Sequence, residues 1–237
     1  SPYYWASRLR MWEAQMLYKC TPAAVHPFLW TVWLGESAQI GGEEYENYMS
    51  SGTAHMLSVS GVHMGILFVT LQLLLRMLLR STRWQAVVLL LVLTIFALTT
   101  GARIACLRAL LMVAVYLAAE LFNREPDTPT ALSISGVLLL LLNPDMLFDA
   151  GFLLSFFSVA GILLFTDPIS HRLERLPWGL RTNIAVTIGA QLLTAPLAIH
   201  YFHNFPPIGV LTNLLAVPLL TAVLWLCFIT TLLAPIL

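Results

Sequence analysis

The stretch Trp84-Gln-Ala-Val-Val-Leu-Leu-Leu-Val-Leu-Thr-Ile-Phe-Ala-Leu-Thr-Thr100 runs without a single charged side chain. Coiled as an α-helix at 1.5 Å per residue it covers about 25 Å, near the roughly 30 Å of a bilayer's hydrocarbon core. Six more apolar runs surround it, at about 54–79, 104–122, 130–142, 146–166, 184–203 and 208–237, divided by breaks that carry charge, Pro or Asn. Backbone that faces lipid has no water to bond with, so every run is expected to be helical. The reading is an all-α, polytopic transmembrane helical bundle of about seven membrane segments. The run at 130–142 is short, and Asn143-Pro144-Asp145 parts it from the next, so these two are expected to form a hairpin of unequal arms.

Composition excludes the main alternative class. Of 237 residues 59% are hydrophobic and only 10% charged, against about 25% charged in a soluble domain. Twelve Lys and Arg balance twelve Asp and Glu, so bulk charge gives no reason to expect a nucleic-acid or anionic-lipid surface. Cys20, Cys106 and Cys227 are far apart, with neither CxxC nor Cys/His spacing, so no disulfide framework, metal site or cofactor is expected. The chain opens on Ser1-Pro-Tyr-Tyr-Trp5 with no signal-peptide pattern, and it is read as a fragment of a longer protein.

Residues 1–52 form a first unit and 53–237 a transmembrane unit. Arg8, Arg10, Glu13 and Lys19 alternate with Trp5, Leu9, Met11, Trp12, Met16 and Leu17 near the helical period, as in an amphipathic helix lying at an interface. His26–Leu34 is apolar but short and is expected to be interfacial, and the acidic Gly/Ser-rich residues 35–52 are read as a loop. Arg76, Arg80 and Arg83 follow the first span, Arg124 the third, and Arg172, Arg175 and Arg181 the fifth. These clusters fall on one side, which the positive-inside rule makes cytoplasmic, with Trp84 and Trp178 as interfacial anchors. Residues 1–52 would then lie outside.

Gly52-Thr-Ala-His-Met-Leu-Ser-Val-Ser-Gly-Val-His-Met-Gly65 is unusual for a lipid-facing helix, with two His, two Ser and three Gly. On a helix Ser58, Gly61 and Gly65 fall at i, i+3 and i+7 with Ala54 a turn earlier, a small-residue stripe that lets another backbone approach. Alternatively His55, Ser58, Ser60 and His63 face a hydrated path. The two readings are compatible if stripe and polar groups lie on different sides.

His55-Met-Leu-Ser-Val-Ser-Gly-Val-His63-Met-Gly65 resembles the HLLAISGLHVG signature of the ComEC-type competence proteins. Thr100-Gly101 through Leu107-Arg108-Ala109 resembles that family's TG…LRA segment, and Phe148-Asp149-Ala-Gly151-Phe152-Leu-Leu-Ser155-Phe156 its FDxGFQLSF. Thr194-Ala195-Pro196-Leu197, Phe205-Pro206 and Asn213-Leu-Leu-Ala-Val-Pro218 resemble its ending. The likeness covers about residues 35 to 237. The Pro and Ser common in the second motif are Ile104 and Ala105 here, and the Gln of the third is Leu153, so no role of that Gln transfers.

The resemblance implies a multi-pass channel in the bacterial cytoplasmic (inner) membrane, carrying single-stranded DNA into the cell during natural transformation. It implies as partners DNA, membrane lipid, an uptake pilus or receptor, and cytoplasmic proteins that move or protect the strand. The family's metallo-β-lactamase-like domain would need an HxHxDH motif that this chain lacks, so no enzyme activity is expected of these residues. A path for a polyanion wants sparse cations and hydrogen-bonding groups that let it leave again. The candidates are Arg103, Arg108, His55, His63, His200, His203 and Asn204, with Ser58, Ser60 and Ser155 as neutral donors.

Each has a structural alternative. Arg103 is placed to snorkel. Arg108, about 7 Å deeper, is expected to pair with Asp149, since an unpaired buried charge is costly. Gly61, Gly65, Gly101 and Gly151 serve packing or turns, and Asn213 can lock two helices by hydrogen bonding. Two rival functions remain. An intramembrane serine hydrolase would join Ser60-Gly61 to His200 or His203, and a small-solute secondary transporter would need a midplane site or repeat symmetry.

Overall fold

The computed structural model describes residues 2–35, 41–203 and 208–233. Among these the chain forms ten α-helices: α1 (Pro2–Cys20), α2 (His26–Leu34), α3 (Gly42–Ser51), α4 (Gly61–Leu78), α5 (Thr82–Thr99), α6 (Ile104–Leu121), α7 (Thr128–Leu142), α8 (Ala150–Arg172), α9 (Trp178–Phe202) and α10 (Gly209–Leu233). Six are long and apolar enough to cross a bilayer: α4, α5, α6, α8, α9 and α10 as far as Thr231. The seventh expected segment is α7, apolar but only 15 residues long, which is about 22 Å. The chain is a multi-pass membrane protein.

The helix starts are written in short polar motifs, because the first N–H groups of a helix lack intrahelical partners. The Asp127 carboxylate accepts from Thr130 N at 2.8 Å and starts α7. Asn143 Oδ1 accepts from Asp145 N at 3.0 Å and starts the 3₁₀ turn Pro144–Phe148. Asp149 Oδ1 accepts from Phe152 N at 3.0 Å and starts α8. The expected unequal hairpin is therefore α7 and α8 joined through that 3₁₀ turn.

Several boundaries differ from those read in the sequence. The first span begins at Gly61 rather than near 54, because Ala54–Met56 is a 3₁₀ turn and Ser60 leads extended into α4. The segment expected at 146–166 is α8, which continues past Pro168 to Arg172. That expected from 184 opens at Trp178, directly after Pro177, whose fixed φ suits a helix start. Within the stretch read as a loop, residues 42–51 are helical: Glu43 and Glu44 sit in the first turn of α3 and Gly52 ends it in the left-handed conformation.

The main core joins α1, α2, α4, α5, α6 and α10. Here α2 buries Val32, Trp33 and Leu34 almost completely, with Trp33 edge-on to Phe96 of α5 at 5.5 Å between ring centroids. Nine residues are too few to span a bilayer, but their apolar side chains are buried once neighbouring helices surround them. Helices α8 and α9 form a separate antiparallel pair packed along most of their lengths. Gly161 and Gly189 allow this contact: a β-carbon on Gly161 would run into the Gly189 carbonyl, and one on Gly189 would lie 3.1 Å from that of Gly161. The small-residue contact read in the sequence at Ala54, Ser58, Gly61 and Gly65 lies here instead. Ser58 is not on the helix of Gly61, and a β-carbon on Gly65 would meet nothing within 4 Å.

Candidate functional site

Helix α6 carries Arg108 one turn into its span, and only 7% of the residue is exposed. Its Nε donates to Ser155 Oγ of α8 at 2.6 Å and its Nη1 to Met112 Sδ at 3.5 Å. The guanidinium carbon lies 5.9 Å from the ring centroid of Phe156. On the third side stands Gly61, the first residue of α4, where a β-carbon would be 2.5 Å from Arg108 Nη2. The side chain thus fills the gap between the start of α4 and the flank of α8, and a glycine makes room for it.

The pairing of Arg108 with Asp149 is corrected by this geometry. Asp149 is exposed and caps α8, while Ser155 lies farther along the same helix, on the face turned to α6. Among the described residues no carboxylate is within ion-pair distance of Arg108, and the contact of His171 Nδ1 with Glu174 at 3.2 Å lies elsewhere. Arg108 is therefore a nearly buried cation held by neutral groups. It also faces the N-terminal end of α4, whose free N–H groups carry partial positive charge. An uncompensated charge in such a place is costly, and an anion is what the local electrostatics lacks.

Ser60 and His63 form a second, tight unit. Ser60 N donates to His63 Nδ1 at 3.2 Å, and Ser60 Oγ lies 3.1 Å from the same nitrogen. An N–H aimed at Nδ1 requires that nitrogen to be unprotonated, so His63 is neutral with its proton on Nε2. His63 is fully buried, and its Nε2 has no hydrogen-bond partner among the described residues. In this arrangement His63 caps a helix start and does not face a hydrated path. The preceding Val59 is buried, with its carbonyl accepting from Cys106 Sγ at 3.6 Å.

A polar group of residues gathers before α4. His55 Nδ1 lies 3.1 Å from the Gly52 carbonyl, and Ser58 Oγ donates to the His55 carbonyl at 3.3 Å. His55 is solvent-accessible, yet surrounding protein atoms desolvate it and hold its pKa below the usual histidine value. Ser51 Oγ and Thr53 Oγ1 are 2.8 Å apart, and Thr212 of α10 donates to the Ser51 carbonyl at 2.7 Å. Gln191 of α9 reaches the same place: a β-carbon on Gly209 would lie 3.2 Å from its amide nitrogen and 3.6 Å from Gly52 Cα. Gln191 and Thr212 were missed in the sequence, although an amide within an apolar run is a readable signal. Met112 gave none.

The remaining candidates are scattered. Arg103 donates to the Gly35 carbonyl at the end of α2, where a cation suits the negative helix terminus. Gly101 and Ala102 both have positive φ, at 85° and 50°, and turn the chain from α5 into α6. A β-carbon on Gly151 would lie 2.9 Å from Asp149 Oδ1, so this glycine leaves room for the α8 cap. Asn213 is buried with Oδ1 unpartnered among the described residues, so that oxygen makes no helix-locking bond. His200 and His203 are exposed at the end of α9, and the side-chain partner of the Ser60 hydroxyl is His63. Asn204 lies outside the described residues. Among those described, no group of three His, Cys, Asp or Glu could hold a metal ion.

Comparison with known proteins bears on this geometry. The family model described as "Competence protein" matches residues 32–237. The chain is 35% identical over 188 residues to "ComE operon protein 3" of Bacillus subtilis (strain 168), covering 79% of this chain and 24% of that protein. The chain thus spans about a quarter of the length of this relative. No solved structure matches. The matched region includes α4, Arg108 and Ser155, and it takes in the buried half of α2.

Proposed function

The chain belongs to the Competence protein family, and from that premise we propose that it forms the membrane path by which single-stranded DNA enters the bacterial cytoplasm during natural transformation. The observation that carries this reading is Arg108, a cation within the bundle that has neutral partners only. A carboxylate partner would neutralise the site and stabilise it, but a phosphodiester passing by could not then use it. A single cation held by a hydroxyl and a thioether attracts a phosphate without trapping it.

In this reading the arginine-rich helix ends face the cytoplasm of an inner membrane. An uptake pilus or receptor delivers DNA to the opposite side, and cytoplasmic proteins draw in or protect the strand. The polar group of His55, Ser58, Gln191 and Thr212 stands on the delivery side. A Ser60 hydrolase fits less well, because His63 Nδ1 already takes the backbone N–H of Ser60 and the ring is shut from solvent.

The test follows fluorescent DNA in cells with an intact uptake pilus. Deleting this chain should leave label outside the cytosol, and Arg108→Gln should do the same at normal protein level. Unchanged cytosolic entry after deletion would contradict the proposal.

A further inference from the structure

A path for a nucleic-acid strand across an energised membrane must be shut when no strand is in it, since a passage of that width would also carry ions down the membrane potential. The structure is shut at Arg108. Only 7% of that residue is exposed, and the space around its guanidinium is filled by Gly61, Ser155, Met112 and the ring of Phe156. We propose that Phe156 is a gate, its ring sealing the cation while the path is idle and turning aside to let an anion reach it. The proposal rests on the reading of Arg108 as a point on the path.

Neighbours on α6, α7 and α8 hold the ring. Phe152, one turn earlier on α8, stacks on it at 4.3 Å between ring centroids with the planes 29° apart. The Arg108 guanidinium carbon of α6 lies 5.9 Å from its centroid. On α7 stands Gly136, where a β-carbon would be 3.1 Å from Phe156 Cε1. A glycine inside a helix costs stability relative to alanine, and here it leaves the room in which the edge of the ring lies. Gly136 serves Phe156 as Gly61 serves Arg108.

Of the groups around the guanidinium, this ring is the one that leaves without breaking a polar contact. Ser155 Oγ and Met112 Sδ both accept from Arg108, and Gly61 is fixed by the cap that Ser60 and His63 form at the start of α4. Phe156 has no polar side-chain atom and is partly exposed, so rotation about its Cα–Cβ bond costs packing alone. Arg108 stays in place when the ring moves, because Ser155 keeps hold of its Nε.

The chemistry of the seal sets what passes once it opens. An apolar ring in a constriction keeps out water, and hydrated ions with it. Behind the ring lies a cation with no carboxylate within ion-pair distance among the described residues, and the free N–H groups at the start of α4 add partial positive charge. An open gate at this point therefore favours anions over cations.

The test measures chloride and potassium efflux from liposomes that hold the purified protein, with no DNA present. The native protein should be tight to both ions. Phe156→Ala should raise chloride efflux by about tenfold and potassium efflux far less, whereas Phe156→Leu, which keeps an apolar plug, should stay tight. Adding Arg108→Gln to Phe156→Ala should abolish the preference for chloride. Phe157→Ala, at the exposed neighbouring ring, should leave the protein tight. A folded Phe156→Ala protein as tight as the native one would overturn the gate, and so would a native protein that leaks chloride. A leak that passes both ions alike, or that ignores Arg108→Gln, marks general disruption and also overturns it. The DNA-entry experiment judges the path separately: normal cytosolic entry after deletion refutes passage of DNA whatever the liposomes show, and a tight Phe156→Ala protein refutes the gate while the path stands.

Discussion

Arg108 Nη2 lies 2.5 Å from the point where a β-carbon on Gly61 would stand. The first residue of α4 and a cation in the middle of the competence-type motifs are thus fitted to each other. Gly61→Ala should displace the guanidinium from Ser155, lower stability by about 1–3 kcal/mol, and reduce transformation even where protein level is restored. Pairing it with Arg108→Gln should recover part of the stability. Thermal unfolding in detergent reads this, and purely additive losses would show that the two residues are not coupled.

Ser155 gives the complementary change. It accepts from Arg108 Nε at 2.6 Å, and a hydrogen bond to a charged group contributes about 1.5–3 kcal/mol. Ser155→Asp would give Arg108 the carboxylate it lacks. Stability should hold or rise while transformation falls, because the cation is then neutralised. Transformation at the normal frequency in a folded Ser155→Asp protein would remove the role given to Arg108.

Asp149 separates a cap from a counter-ion. Asparagine caps a helix about as well as aspartate, whereas alanine costs about 1 kcal/mol. Asp149→Asn should therefore leave both stability and transformation near normal, and Asp149→Ala should cost stability alone. Equal damage from the two would mean that its charge matters, against the contact with Phe152 N.

Glu13 of α1 has Oε2 buried and unpartnered among the described residues, and burial raises its pKa from the usual 4.5 to about 7. Between those values the folded chain binds a proton that the unfolded chain does not, so this group's contribution to stability falls as pH rises through the window. Below pH 4.5 both states are protonated. Glu13→Gln should accordingly raise stability at pH 8 by about 1–2 kcal/mol, allowing for partial exposure, and change nothing near pH 4. Unfolding midpoints at the two pH values read the difference.

Legibility in the sequence followed the length of the signal. Long apolar runs such as Trp84–Thr100 marked spans that the fold contains as α4, α5, α6, α8, α9 and α10. The burial of His26–Leu34 was not legible, because nine apolar residues carry no mark of what will surround them; neighbouring helices bury this one. The Gly61 stripe failed because Ser60 starts a helix there, and helical spacing counted through a helix start has no meaning. Arg108 stood out as a costly charge, but the nearest acid by motif, Asp149, was taken up by a backbone N–H. Ser155, a neutral residue about a turn and a half into the same helix, could be found only once α6 and α8 were seen to pack.

The central claim is that DNA passes beside Arg108. A photo-crosslinking amino acid at Phe156, against the guanidinium, and one at the exposed, outward-facing Leu164 of the same helix test it in cells taking up labelled DNA. Single-stranded label should be captured at position 156, with little or none at 164. Capture at neither position while uptake proceeds normally, or equal capture at both, would contradict it.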